Sequence, residues 1–286
     1  GAEQWATGAY STLTYEVFRW NAFPHVLDFD CDYMTGPDWA FGKFGSGNFQ
    51  DDDHAQQMWE KMYNIIHRCN LGIENITLMS NASEAAKNNA MGELHFLKAY
   101  AYFLLVRAFG PIPVRDHTIN SGQSDIHQPR QPIDSVYNYI IANLRKGEQM
   151  MYKNTDKDFS LGHASAGAAA SLLAKVYLTM ASAAVPTGEK VIVRGGKAFE
   201  KVGGEKVYTH PVAIEHTKTQ LAGYENIDYK KYFAWARDKA KEVIDGKYGT
   251  YGLLSYDGLW EKGNRNTVEH IWSLQTVSDD EIYGVS

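Results

Sequence analysis

The chain has 286 residues, a formal net charge of −6 from 28 basic and 34 acidic side chains, and 13% aromatic residues. This length allows a sizeable core, in one large domain or two smaller ones, and the aromatic content excludes a disordered or low-complexity protein. An acidic balance without a basic cluster argues against nucleic acid or an anionic membrane surface as the main partner. Cys31 and Cys69 are too few for a disulfide scaffold or a thiolate metal site, and Cys69 is expected to be a buried hydrophobe.

Apolar side chains recur at three- and four-residue steps along most of the chain, which predicts amphipathic helices. The acidic triplet 51–53 is expected to cap one helix, and Gly110 is expected to end another. The predicted helices cover residues 2–17, 54–77, 84–109, 132–144, 164–183 and 228–245. In the last helix, the residues expected to face the core are Tyr232, Ala236, Ala240, Val243 and Ile244.

The most apolar stretch, residues 164–185, consists mainly of Ala and Ser and carries Lys175 at its centre. It is therefore predicted to be a buried helix and not a membrane span. Successive Ala and Gly residues at 166–170 would let neighbouring backbones approach closely. We expect this helix to lie between two others.

Two segments have extended patterns. Residues 186–226 contain Gly-rich turns between short β-branched runs, which predicts an excursion with short strands or a hairpin. Residues 269–275 alternate between apolar and polar side chains, so a strand is expected there, with Trp260 packed beneath it.

A weak internal repeat links two of the helices. Residues 98–100 (Lys-Ala-Tyr) align with 175–177 (Lys-Val-Tyr) at an offset of 77, and each triplet belongs to the second helix of a pair. This spacing favours stacked helix pairs of the tetratricopeptide kind. The expected fold is all-α, with tetratricopeptide-like helix pairs, long loops and a few short strands, in one domain over residues 1–286.

Catalytic motifs are absent from the sequence, which has no His-Glu-x-x-His, Gly-x-Ser-x-Gly or phosphate-binding Gly-rich loop. His95 is expected to pack within a helix, and His163 lies where a helix cap would sit. The three Asp residues in 28–32 do not begin a calcium-binding EF-hand loop, since Tyr33 and Trp39 replace the required Gly and Glu. We expect no catalytic residue, no metal site and no cofactor.

Residues 92–114 read GELHFLKAYAYFLLVRAFGPIPV, with Phe-Leu-Lys-Ala-Tyr, an aromatic pair, Leu-Val-Arg, Phe-Gly and Pro-x-Pro-Val in succession. Four later segments follow: 132–137 (PIDSVY), 166–180 (AGAAASLLAKVYLTM), 240–248 (AKEVIDGKY) and 269–275 (EHIWSLQ). In content and order these segments resemble the SusD/RagB family of outer-membrane nutrient-binding lipoproteins. The resemblance extends over nearly the whole chain.

The resemblance implies non-catalytic capture of oligosaccharide at the cell surface for polysaccharide utilisation in Bacteroidetes. It implies delivery of the ligand to a SusC-like TonB-dependent outer-membrane transporter. Family members are about twice as long and begin with a lipidated cysteine behind a signal peptide. The chain is therefore expected to be the N-terminal part of such a protein, with membrane attachment only through a lipid anchor outside this sequence.

The loop of residues 28–50 is Gly-rich and irregular, yet it holds six aromatic side chains among Asp, Lys and Asn residues. Aromatic rings stack on the apolar faces of sugars while amides and carboxylates bind hydroxyls, so this composition suits a carbohydrate site. Packing of the loop against the helices is the alternative for any one ring. The expected glycan-binding residues are Trp39, Asp38, Phe41, Asn48 and Phe44, with Tyr251, Tyr256 and Trp260 as second candidates.

The remaining aromatic residues, such as Tyr100, Tyr102, Phe103 and Tyr177, are expected to belong to helix packing. Two other functional classes stay open. One is a helical carbohydrate-active enzyme, suggested by the aromatic and acidic composition. The other is a tetratricopeptide-type scaffold for protein or peptide interaction, in which the aromatic loop would be buried. Peptide nutrients are also open as ligands.

Overall fold

The computed structural model describes residues 1–13, 26, 53–119, 126–195, 197, 199–210 and 212–274. Its helices are α1 (Ala2–Thr12), α2 (Asp53–Leu78), α3 (Glu84–Phe109), α4 (Ile133–Met150), α5 (Ala166–Ala184), α6 (Tyr229–Ile244) and the short α7 (Tyr256–Leu259). The predicted mainly helical fold is confirmed. Residues 14–17 of the first predicted helix, two of the acidic triplet and Cys31 lie outside the described residues.

The helix boundaries follow local capping chemistry. The Ser83 hydroxyl accepts a hydrogen bond from the Ala86 N–H at the start of α3, and Gly110 ends that helix with a φ of 66°. Ser165 caps α5 in the same way, and Asp228 caps α6. The prediction that His163 sits at the cap of α5 is therefore wrong, because Ser165 supplies the accepting oxygen.

The helices stack in chain order. Helix α2 packs on α3, α3 on α4, α4 on α5 and α5 on α6, while α1 covers both α2 and α3. This arrangement matches the predicted helix pairs. Helix α3 supplies the centre of the core, and Tyr102 and Phe103 are buried in it while Tyr100 packs against it.

Small residues permit the close approach of α3, α4 and α5. A Cβ atom on Gly147 would lie 3.3 Å from the Ala169 Cβ, and one on Gly92 would lie 3.0 Å from the Met151 backbone nitrogen. Helix α5 is long and apolar enough to span a membrane, yet 61% of its most apolar stretch is buried inside the protein. The predicted buried position of α5, between α4 and α6, is confirmed.

The excursion between α5 and α6 is a β-ribbon, as predicted for residues 186–226. Its strands are β1 (Lys190–Gly195), β2 (Phe199–Val202), β3 (Glu205–Tyr208) and β4 (Val212–Thr217). Strand β1 pairs antiparallel with β4, and β2 pairs antiparallel with β3. Gly203 and Gly204 form the two-residue turn with φ values of 61° and 92°, which side chains rarely adopt.

Residues 269–274 do not form the predicted strand. The His270 N–H donates to the Thr267 carbonyl and the Ile271 N–H to the Glu269 carbonyl, so the backbone turns instead of pairing with another strand. The alternating pattern has another cause, since Ile271, Trp272 and Leu274 pack against the core. Trp260 does not lie beneath this segment, and Ile244 of α6 is exposed, so both predictions are wrong.

The repeated triplets occupy equivalent places in α3 and α5 but have different surroundings. Lys98 is only 3% exposed and its ammonium donates to the Asn70 side-chain oxygen at 2.9 Å, whereas Lys175 is exposed. His95 is also buried, with its ring nitrogen 2.7 Å from the Asn143 amide oxygen, which confirms its packing role. Cys69 is fully buried, as expected.

Candidate functional site

The five residues expected to bind glycan, at positions 38, 39, 41, 44 and 48, lie outside the described residues. The second candidates are all described. Of these, Tyr256 and Trp260 have the exposure that a ligand-stacking ring needs, being 79% and 72% exposed. We call the surface formed by these two rings the aromatic shelf.

The rings of the shelf meet edge to face. Their centroids lie 6.4 Å apart and their planes are inclined by 73°. Both residues belong to one short helical turn, because the Ser255 hydroxyl caps α7 by accepting the Gly258 N–H at 3.1 Å. The four-residue spacing then places both rings on the same side of the turn.

Hydrogen bonds on both sides hold the shelf in position. The Leu254 N–H donates to the Glu269 carboxylate at 2.6 Å, and the Asn264 amide donates to the Gly258 carbonyl at 2.7 Å. The Gly252 N–H donates to the Val268 carbonyl at 3.0 Å. The shelf therefore rests on a tied loop and presents its rings without large rearrangement.

The surroundings of the shelf are polar and carry both signs of charge. Asp257, Glu261, Lys262 and Arg265 are all exposed on the same segment. Two exposed rings beside carboxylates and cationic groups suit a ligand that has both apolar faces and hydroxyl groups. A large apolar surface left in water is otherwise costly to maintain.

Tyr251 has a structural role and does not belong to the shelf. Its hydroxyl lies 2.9 Å from the Ser165 hydroxyl at the start of α5, and burial raises the pKa of the phenol. Gly167 leaves room for this ring, since a Cβ there would collide with the Tyr251 hydroxyl. The side chain thus joins the C-terminal segment to α5.

A buried polar cluster lies where α1, α3 and the start of α5 meet. The Glu93 side chain is 1% exposed, and it accepts hydrogen bonds from the His163 ring and from the Asn89 amide, each at 2.7 Å. Tyr10 packs its ring edge against His163, and its hydroxyl accepts the Ala164 N–H at 2.9 Å. Glu3 lies 3.7 Å from the other His163 nitrogen.

The Glu93 hydrogen bond raises the pKa of His163 above its ordinary value, against the opposing effect of burial. A raised imidazole pKa contributes stability that is complete below the unfolded value and is lost as the pH rises through the folded value. We expect the stability of wild-type protein relative to His163→Gln to fall as the pH rises from about 6.5, the ordinary imidazole pKa, into the alkaline range. Urea unfolding of both proteins across this interval measures the difference, and parallel pH profiles would contradict the expectation.

Among the described residues, no group of three or more His, Cys, Asp or Glu side chains is placed to hold a metal ion. The three Asp residues in 28–32 are outside that set. The Glu93–His163 pair has the residue types of an acid–base pair, but both members are committed to joining helices.

Comparisons with known proteins agree on one family. A SusD-like family model described as "Starch-binding associating with outer membrane" matches residues 37–178. SusD-like protein P2 of Formosa agariphila is 33% identical over 129 residues, which is 45% of this chain and 25% of that protein.

Solved structures share the fold. One determined with xylogluco-oligosaccharide superposes with a TM-score of 0.70 over 99% of this chain and 48% of its own length, at 20% identity. Surface glycan-binding protein A from Bacteroides fluxus gives a TM-score of 0.66 over 99% of this chain and 53% of its own, at 17% identity. The chain thus spans about half the length of these proteins.

Proposed function

Because the chain belongs to the SusD-like family, we propose that it binds oligosaccharides at the outer membrane without cleaving them. The observation that carries this proposal is the pair of exposed rings, Tyr256 and Trp260, fixed on a tied loop. The oligosaccharide in one structural relative and the glycan-binding name of another support the same ligand class.

The rings suit this ligand for a physical reason. A sugar ring has an apolar face, and covering it together with an exposed aromatic side chain removes apolar area from water at about 25 cal/mol per Å². Hydroxyl groups at the sugar's edge need donors and acceptors, which the charged side chains around the shelf supply. Each contact contributes only a small part of the binding free energy, so binding depends on several contacts acting together.

We extend the site to the aromatic loop, in which Trp39, Asp38, Phe41, Asn48 and Phe44 would provide further stacking and hydroxyl contacts. Residues 1–286 would act as one helical binding unit. A lipid anchor would hold the protein at the membrane, and the ligand would pass to a SusC-like TonB-dependent transporter. The family resemblance supports these steps.

Trp260→Ala is expected to weaken oligosaccharide binding at least roughly tenfold, equivalent to about 1.4 kcal/mol. Trp39→Ala is expected to weaken it similarly. The melting temperature should stay unchanged for Trp260→Ala because this side chain is exposed, and likewise for Trp39→Ala if its ring faces ligand. Affinity electrophoresis on xyloglucan and starch, followed by calorimetry with the matching oligosaccharides, measures the change.

Tyr208→Ala is the matched control, because Tyr208 is an equally exposed aromatic residue on β3 of the ribbon. It should leave binding unaltered. Equal affinities for Trp260→Ala and Tyr208→Ala would remove the shelf from the proposed site. A Trp39→Ala variant that loses stability but keeps affinity would assign the loop to packing.

A further inference from the structure

The tip of the β-ribbon consists of strands β2 and β3 and the turn at Gly203 and Gly204 between them. Every residue from 200 to 210 is exposed, and Tyr208 keeps 75% of its surface accessible. A two-stranded sheet with water on both faces buries little apolar surface of its own. The side chains of the tip are therefore available to a partner.

The two faces of the tip differ in charge. Directly opposite residues of an antiparallel pair share a face, and alternate residues along each strand return to it. One face, which we call the cationic face, carries two aromatic and two basic residues: Phe199, Tyr208, Lys201 and Lys206. The other face carries two aliphatic and two acidic residues: Val202, Val207, Glu200 and Glu205. Carboxylates and ammonium groups of the tip are thus separated by the sheet.

The two ammonium groups of the cationic face form no ion pair with any carboxylate in the part of the chain that the structure describes. Lys201 and Lys206 occupy directly opposite positions, where like charges destabilise a strand pair. The Lys206 ammonium lies 4.5 Å from the centroid of the Phe199 ring, and this cation–π contact does not neutralise its charge. An anion bound by both lysines would relieve their repulsion.

The rings of the cationic face provide an apolar surface beside the charges. The centroids of Phe199 and Tyr208 lie 6.3 Å apart, with their planes inclined by 67°. A tyrosine has an apolar ring and a polar hydroxyl, which suits the boundary between the hydrocarbon and the headgroups of a lipid layer. Lysine has the same dual character, because its aliphatic stem covers apolar surface while the ammonium stays in the polar layer.

The choice of basic residue favours a lipid surface over an acidic protein. Lysine is depleted at the centre of protein–protein interfaces, where arginine is enriched, and the tip has two lysines and no arginine. Lysines that only protect strand edges from aggregation would be expected on both faces of the tip. A second copy of the chain is disfavoured as well, because two cationic faces would repel each other.

We propose that the cationic face of the ribbon tip binds the phosphate groups of a lipid surface. Lys201 and Lys206 contact the phosphates, and the rings of Phe199 and Tyr208 lie at the level of the headgroups. The net charge of −6 on the whole chain opposes a broad attraction to an anionic surface, so the contact is confined to the tip. It depends neither on the oligosaccharide site nor on a lipid anchor.

The test is co-sedimentation of the chain of residues 1–286 with phospholipid vesicles. One set of vesicles contains phosphatidylcholine alone, and the other also contains phosphatidylglycerol as about one third of the lipid. We expect saturable binding to the anionic vesicles only, and this binding should weaken as NaCl is added. Replacing both lysines, Lys201→Gln with Lys206→Gln, should lower the affinity at least roughly tenfold.

The matched control is Lys190→Gln with Arg194→Gln, which removes the same charge from β1, nearer the helices. It should bind anionic vesicles as wild type does, and both double variants should keep the wild-type melting temperature because all four side chains are exposed. Equal losses of affinity in the two double variants would overturn the proposal, since they would indicate a general charge effect. Absence of binding to anionic vesicles, as expected of a face that contacts an acidic protein, would overturn it too.

Discussion

Phe96→Ala is expected to lower the free energy of unfolding by about 3–5 kcal/mol, the usual cost of truncating a buried phenylalanine. Phe96 lies in α3, is fully buried and packs its ring at 90° to that of Trp272. Its removal opens a cavity at the centre of the helix stack and also releases the C-terminal segment. Since whole domains are stable by only about 5–15 kcal/mol, a large part of the stability would be lost.

Phe233→Ala is the control for this substitution. Phe233 is on α6 and is 37% exposed, so its truncation should cost less than about 1 kcal/mol. Urea unfolding monitored by circular dichroism gives both values. Equal costs for the two variants would contradict the central position assigned to Phe96.

Lys98→Met is expected to remove a pH dependence that wild-type protein shows in the alkaline range. Burial lowers the pKa of Lys98 from 10.5 to about 8, and the described residues offer the ammonium an amide oxygen and the face of Tyr139 at 5.6 Å but no ion-pair carboxylate. Between these two pKa values the unfolded chain binds more protons than the folded one. Wild-type stability should therefore rise with pH relative to the variant, by about 3 kcal/mol in all.

Lys175→Met is the matched control, because Lys175 occupies the equivalent repeat position on α5 but is exposed. Its profile should run parallel to that of wild type. Guanidinium unfolding at about pH 7.5, 9 and 10.5 covers the transition expected from the shifted pKa. If Lys98→Met also ran parallel to wild type, the folded protein would not carry a buried ammonium at this position.

Local chemistry explains which parts of the fold the sequence could predict. Helix α3 matches its prediction because apolar side chains recur along its whole length and Gly110 ends it, while the Ser83 hydroxyl caps its start. The strand prediction for residues 269–274 was wrong because alternating apolar and polar residues indicate which side chains pack against the core. Such a pattern does not show whether a neighbouring strand is present to pair with. Lys98 and Lys175 share a sequence pattern, but the neighbouring helices decide which one is buried.

The candidate site also has a part that the sequence could predict and a part that it could not. Tyr256 and Trp260 are four residues apart in a short segment between Gly residues, a signal that was available before the structure. The exposure of these two rings could not be predicted from the sequence, because it depends on hydrogen bonds from their loop to Glu269 and Val268 in the segment that follows. The Glu93–His163 contact joins residues 70 positions apart, so no local sequence pattern predicts it.

The β-ribbon begins and ends at almost the same point of the molecule. The Gly188 N–H donates to the Lys218 carbonyl at 3.0 Å, and the Lys218 N–H donates to the Glu189 carbonyl at 2.8 Å. These two hydrogen bonds close the base of the ribbon, so the chain from α5 to α6 behaves as a short connection. The entropic cost of bringing the two helices together then no longer grows with the length of the ribbon. A ribbon of another length could therefore stand at this position while the stacking order of the helices stays the same.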